Sequence, residues 1–278
     1  YPEMVKLLGG HPVSIVCGAE NGFRLTPAEL EAAITPRTKW LFLNAPGNPS
    51  GAVYSEAEFA ALGAVLARHP QVLVLSDEIY EHILFDGRRF VSFGKACPAL
   101  RERSLILNGV SKSYAMTGWR VGYAGGPAPL IKAMNTVQSQ SCTSVCSVAQ
   151  AAALAALEGP QESVSQFREA FERRRNLVVQ GIAQVPGLTL AAPEGAFYAY
   201  IGCAALIGAT TPSGATLAND ADVARYLLEE GRVAAVPDAA YGLSPFFRLS
   251  TATADAILEK AVKRIGEAVG KLSIRKAA

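Results

Sequence analysis

The sequence predicts an α/β protein, with a large domain whose mostly parallel sheet lies between helices and a smaller C-terminal α+β domain. Three observations carry this prediction. Between Thr26 and about Ser111, short apolar runs alternate with stretches of helical periodicity, the pattern of βαβ units. From 146 to 185 the texture is helical. After Pro186-Gly187 short strands and helices alternate again, as in a second α+β unit. The expected boundaries are 1–160 for the large domain, 161–185 for a bridging helix and 186–278 for the small domain. At roughly 150 residues per domain, 278 residues allow about two such units.

Each element has a local reason. Thr26 with Glu29 three residues on, then Leu30 and Ile34, is a capped helix start, and Pro36 stops that helix. Lys39-Trp40-Leu41-Phe42-Leu43 reads as a short buried strand. Ser55 with Glu58 repeats the capping pattern, followed by Phe59, Leu62, Val65 and Leu66 at helical spacing up to His69-Pro70. Val72-Leu73-Val74-Leu75, Leu105-Ile106-Leu107 and Arg120-Val121-Gly122-Tyr123-Ala124 supply further strands of this sheet. Helices are expected at 146–158 and 160–185, the second with Arg173-Arg174-Arg175 on a solvated face. The C-terminal part predicts strands at 188–191, 196–201, 233–236 and 246–250, and helices near 220–230 and 254–270.

Composition narrows the function. Lys plus Arg exceed Asp plus Glu by 26 − 24 = 2, without a long single-sign run, which argues against a nucleic-acid or membrane-surface partner. Half of the residues are apolar and mean hydropathy is +0.20, so the chain should be globular. No apolar stretch approaches the ~18 residues of a spanning helix, and the expectation is a soluble, cytoplasmic protein. The five cysteines lack zinc spacing and read as buried free thiols, although Cys142 and Cys146 could share one helix face. No metal site is expected. His11, His69 and His82 read as structural, and Trp119 as a core anchor.

In an open parallel sheet, ligands bind beyond the carboxyl ends of the strands. Here those ends run into NAPGNPSG (44–51), SDEIYEHILFDG (76–87) and NGVSKSYAMTGWR (108–120). Asn44, Asn48, Asp77, Tyr80, Ser111 and Lys112 therefore gather at one rim. Such a set is costly to bury without a charged ligand to organise it. A phosphorylated heterocycle with a ring nitrogen satisfies it, because a carboxylate holds a pyridinium protonated, a phenol and an amide bond a phenolic oxygen, a lysine forms an imine with an aldehyde, and Ser and Arg bind phosphate. These are the requirements of pyridoxal 5′-phosphate. Singly, the residues have ordinary readings, with Pro-Gly-Asn-Pro a turn, Asp77 a helix cap and Arg248 a surface charge. The ordered set, with an arginine eight residues after a lysine and Met-Thr-Gly-Trp between them, has no simple structural one.

These three segments, together with PEGAFYAY (193–200) and FRLSTA (247–252), resemble those of the class I/II aminotransferases of PLP fold type I, in the aspartate-aminotransferase-like branch. The resemblance covers nearly the whole chain. It implies that Lys112 forms the Schiff base and, once released, moves the proton between the substrate Cα and the cofactor. It further implies that Asp77 pairs with the pyridinium, Tyr80 and Asn48 bind the phenolic oxygen, Ser111 and Arg120 hold the phosphate, and Arg248 with Asn48 binds the substrate carboxylate. Tyr198 is open between packing in a core strand and a place in the site. The activity implied is amino-group exchange between an L-amino acid, aspartate-like by preference, and a 2-oxo acid such as 2-oxoglutarate, in a homodimer. A lyase or synthase of the same fold would use the same Lys112 and Asp77, and a non-catalytic truncated domain is the rival of another class.

One departure stands out. Tyr1-Pro2-Glu3 has neither an initiator Met nor a signal peptide, and family members carry an arm, a phosphate-gripping turn and a ring-stacking aromatic before this point. The expectation is a chain incomplete at its N-terminus, with a weakened grip on the cofactor. No dinucleotide or P-loop motif and no nucleophile elbow competes with this reading.

Overall fold

The computed structural model describes residues 1–238 and 241–274. After two short helices, α1 (Pro2–Leu7) and α2 (Pro27–Ala33), the first sheet is built in the spatial order β1 (Trp40–Asn44), β2 (Leu73–Asp77), β3 (Ser104–Gly109) and β4 (Gly122–Gly125). β1, β2 and β3 are parallel. Asn44 lies opposite Asp77, and Asp77 opposite Leu107, so the strands end along a common rim. The crossovers are α3 (Glu56–Ala67) and then α4 (Phe93–Ala96) with the 3₁₀ segment Pro98–Arg103.

β4 breaks the parallel pattern and pairs antiparallel with β3. The reason lies in the connection. Residues 110–121 contain only a 3₁₀ turn, Thr117–Trp119, and none of the α-helix through which a parallel return usually crosses over. The loop that carries Lys112 therefore turns back on itself at the rim.

Both capping boxes form as the residues predict. Thr26 N–H donates to Glu29 Oε2 (2.8 Å) and Glu29 N–H to Thr26 Oγ1 (3.3 Å), with Ser55 and Glu58 making the same exchange at α3. Phe59, Leu62 and Leu66 of α3 pack with Val72, Val74 and Phe93 in the core of this sheet. Each such side chain contributes roughly 1.5–3 kcal/mol through burial.

Beyond the first sheet come α5 (Ala128–Ser141), α6 (Ser147–Glu158) and the long α7 (Glu162–Ile182). α5 buries none of its residues, so it carries no core-facing stripe for sequence periodicity to detect. The second sheet is antiparallel, in the order β5 (Tyr198–Gly202), β7 (Phe246–Ser250), β6 (Val236–Pro237). With α8 (Asp220–Glu229) and α9 (Asp255–Val269), it encloses a separate core of Ile182, Ile201, Leu227, Phe247 and Ile265. The strand expected at 188–191 reduces to a single bridge from Thr189 to Gly202.

Three other expectations are corrected. Trp119 is 46% exposed, on the 3₁₀ turn rather than in the core. Cys142 and Cys146 are exposed and sit at the end of α5 and the start of α6, so they share no helix face. Arg175 is not solvated. It lies 5% exposed over the Phe85 ring, its Nη1 and Nη2 bonded to the Asp86 carboxylate (3.0 and 2.6 Å) and Nη1 also to the Pro193 carbonyl (2.9 Å).

That contact ties α7 to the turn after Phe85. Beside it, Gly195 bridges to Leu84, and Glu194 takes ion pairs from both Arg24 (2.5 Å) and Arg88 (2.7 Å). Chain from both sheets thus converges on residues 193–198. No helix among the described residues is long and apolar enough to cross a membrane.

Candidate active site

The register places Asn44 and Asp77 side by side where β1 and β2 end. Asn44 Nδ2 donates to the Asp77 carbonyl (3.0 Å), and its Oδ1 accepts the Asn48 N–H (2.9 Å), which folds the following loop over the rim. The Asp77 carboxylate accepts the Ile79 N–H at Oδ1 (3.2 Å) and the Tyr1 phenol at Oδ2. Burial, then that hydrogen bond, pushes the Tyr1 phenol far above its ordinary pKa, so it stays a neutral donor.

Tyr80 follows Asp77 by three residues and is 3% exposed. Its hydroxyl meets that of Tyr198 at 2.8 Å. Burial raises the Tyr80 pKa strongly, with the Tyr198 hydrogen bond and the Asp77 charge adding to the effect. Lys112, three residues past the end of β3, places Nζ 5.8 Å from the Tyr80 ring centroid and 5.7 Å from that of Phe197. No ion pair engages this amine among the described residues; its surroundings are the two rings. Next to Asp77 in the chain, the buried Glu78 accepts hydrogen bonds at Oε1 from Ser76, Ser92 and the Phe93 N–H, and burial holds its pKa above the usual range.

Arg248, on β7, completes the cluster. Nη1 donates to Asn48 Oδ1 (2.8 Å), and the guanidinium lies 4.5 Å from the Tyr198 ring centroid and 5.3 Å from that of Tyr241. Its Nε is buried without a partner. Its Nη2 makes no hydrogen bond among the described residues and is not buried, which leaves it as the donor for an incoming carboxylate.

Lys112, Tyr80, Tyr198, Arg248 and Asn48 thus form one chain of contacts, and Asp77 acts on Tyr80 electrostatically. Asn48 is engaged with Arg248 rather than Tyr80. Ser111 and Arg120 stand apart. Arg120, in a left-handed conformation (φ 56°), is exposed, and its Nη1 donates to the Thr117 carbonyl (2.9 Å). No hydrogen bond, ion pair or ring contact among the described residues joins either side chain to the Lys112 cluster. The cluster nonetheless suits pyridoxal phosphate: a lysine amine without an ion-pair partner for the aldehyde, a neutral phenol for the ring oxygen and a rim carboxylate for the ring nitrogen.

The model of the aminotransferase class I and II family matches residues 1–265. The chain belongs to that family. It is 54% identical over 273 residues to an aspartate aminotransferase of Rhizobium meliloti (strain 1021), covering 98% of this chain and 67% of that protein. It is 56% identical over 265 residues to an aspartate/prephenate aminotransferase of Cereibacter sphaeroides, covering 95% of this chain and 66% of that protein. Among solved structures, the Rhizobium meliloti aspartate aminotransferase superposes with a TM-score of 0.96 at 53% identity, over 98% of this chain and 68% of that one. The aspartate aminotransferase of Thermus thermophilus with maleate superposes with a TM-score of 0.84 at 41% identity, over 96% and 66%. The chain therefore spans about two thirds of the length of these relatives. As a class I/II aminotransferase it is of fold type I and uses pyridoxal phosphate.

Sequence reasoning left Tyr198 open and passed over Tyr1, Phe197 and Tyr241. The alternation of PEGAFYAY flags Phe197 and Tyr198 as strand residues but not which face meets Lys112. Tyr241 has no motif around it; only the fold of the turn after β6 brings it over Arg248.

Proposed function

We propose that this chain works as a transaminase exchanging an amino group between an L-amino acid, with aspartate-like substrates favoured, and a 2-oxo acid such as 2-oxoglutarate. The observation that carries the proposal is the Lys112 amine, flanked by Tyr80 and Phe197, in the same contact chain as the Arg248 guanidinium. Pyridoxal phosphate, when bound, supplies an aldehyde that couples to amines and a protonated ring that draws electron density from the substrate Cα.

The protein's own groups do the rest. Asp77, fixed by the Ile79 N–H and the Tyr1 phenol, would hold the ring nitrogen through its carboxylate. Tyr80 offers a neutral O–H to the ring oxygen, and Tyr198 orients it. Arg248, steadied by Asn48 through Nη1, would bind the substrate carboxylate through its remaining free N–H groups and so orient the Cα–H bond. Lys112 Nζ then removes and returns the proton at Cα. Ser111 and Arg120 are assigned the phosphate. A homodimer in the cytoplasm, organised as domains 1–160 and 186–278 with a bridging helix at 161–185, belongs to the same proposal.

The test is spectroscopic. Incubation with pyridoxal phosphate should give a visible absorbance band that aspartate discharges and 2-oxoglutarate restores, and Lys112→Ala should abolish the band. A wild-type chain whose band persists with every amino acid tried, or a variant that keeps the band, would defeat the proposal.

A further inference from the structure

The turn after β6 is anchored from within. Asp238 is 1% exposed, and its carboxylate accepts the Tyr200 hydroxyl. Its carbonyl takes the N–H groups of Tyr241 (2.6 Å) and Gly242 (2.9 Å), while the Tyr200 hydroxyl also lies 3.3 Å from the Leu243 carbonyl. Tyr200 stands opposite Arg248 in the register, so both side chains leave the same face of the sheet. The Tyr200 ring stacks on Phe246 (4.7 Å) and meets Tyr241 edge-on (6.3 Å). Backbone and ring contacts together therefore hold Tyr241 where its ring covers the Arg248 guanidinium, 5.3 Å from its centroid.

This arrangement does something that the Arg248–Asn48 bond does not. Aromatic rings over a guanidinium exclude water from its faces and leave only the in-plane N–H groups to bond. Of these, Nη1 is taken by Asn48, Nε is buried, and Nη2 makes no hydrogen bond among the described residues and is left for a carboxylate. Water kept off the faces cannot screen the charge, so a carboxylate arriving in the plane meets a stronger and better-aimed cation.

We propose that Tyr241 is a positioning residue for carboxylate recognition, its ring acting with Tyr198 to desolvate and orient Arg248, and its hydroxyl not required. The inference rests on the reading of Arg248 as the carboxylate-binding group. It predicts a loss of affinity common to every carboxylate substrate, with little change in the chemical step.

The experiment titrates maleate into the protein loaded with pyridoxal phosphate, follows the visible band for the dissociation constant, and measures KM and kcat separately. Tyr241→Leu should weaken maleate binding about 5- to 30-fold and raise KM for amino acid and oxo acid alike, with kcat within about 2-fold; Tyr241→Phe should stay within about 2-fold of wild type throughout. Wild-type maleate affinity in Tyr241→Leu overturns the inference. So does an equal loss in Tyr241→Phe, which would assign the effect to the hydroxyl, or a fall in kcat without a rise in KM. Should Tyr241→Leu fail to fold, Tyr241→Met must show the same loss. Arg248→Lys separates the two levels. If it binds maleate as wild type does, the Arg248 reading itself fails; if it weakens binding while Tyr241→Leu does not, only the role of Tyr241 is lost.

Discussion

Asp86→Asn should destabilise the protein by about 1–2 kcal/mol at pH 7, and the pH dependence of that loss is the sharper test. Arg175, 5% exposed, bonds both Asp86 oxygens and the Pro193 carbonyl, and its Nε is already buried without a partner. Losing one partner of a fully buried ion pair costs about 3–5 kcal/mol, whereas exposed pairs contribute about 0–1 kcal/mol. The Asp86 side chain is 55% exposed, so solvent screens its half of the bond and the expected loss falls between these limits. Asn is the right replacement because position 86 has φ +58°, which Asn tolerates, and because it preserves shape while removing charge. Arg175 holds the Asp86 carboxyl below its usual pKa, so the paired carboxylate stabilises the fold above the unfolded pKa of roughly 4, and that contribution fades as pH falls through the lower folded value. Urea denaturation of wild type and variant should show a gap at pH 7 that narrows below about pH 4. A gap absent at pH 7, or unchanged at pH 3, refutes the reasoning.

Other outcomes follow from the same contacts. Arg248→Lys should weaken maleate binding about 10- to 150-fold, the loss of one charge-assisted hydrogen bond of roughly 1.5–3 kcal/mol, as read by titration of the loaded protein. Glu78→Gln keeps an oxygen for Ser76, Ser92 and Phe93 N–H while removing a buried charge. Since burial raises the Glu78 pKa, wild type has its greatest advantage below the unfolded pKa and loses it as pH rises, so the stability of Glu78→Gln relative to wild type should improve between pH 4 and pH 8 in urea titrations. Tyr80→Phe removes the partner of the Tyr198 hydroxyl and the donor to the ring oxygen. The visible band of the loaded protein should then shift its pH midpoint, and an unchanged midpoint would remove Tyr80 from that role.

Much of the fold is local in origin, which is why it can be anticipated. The capping pairs Thr26/Glu29 and Ser55/Glu58 span three residues each, and the short apolar runs of β1, β2 and β3 mark strands that are buried on one face and half-buried on the other in β1 and β2. α5 and the direction of β4 are different. The first lacks a buried stripe, and the second depends on how 110–121 turns, which no periodicity records. Arg173-Arg174-Arg175 shows the same limit. The run looks uniformly polar, yet Arg175 points inward because Asp86 and Pro193, 89 and 18 residues away, wait there.

The chain's own order of residues determined the chemistry. An amine, a carboxylate, a phenol and a guanidinium follow strand ends at spacings that suit one cofactor, and those identities are written residue by residue. Only tertiary structure decided which of them meet. Asn48 turned to Arg248, Tyr198 joined Tyr80, Tyr241 came to cover the guanidinium, and Ser111 and Arg120 stayed outside the contact chain. The physical reason is range. Caps, turns and strand propensity act over a few residues, whereas the orientation of Arg248 results from the pairing of β5, β6 and β7 and a contact 200 residues distant in the chain.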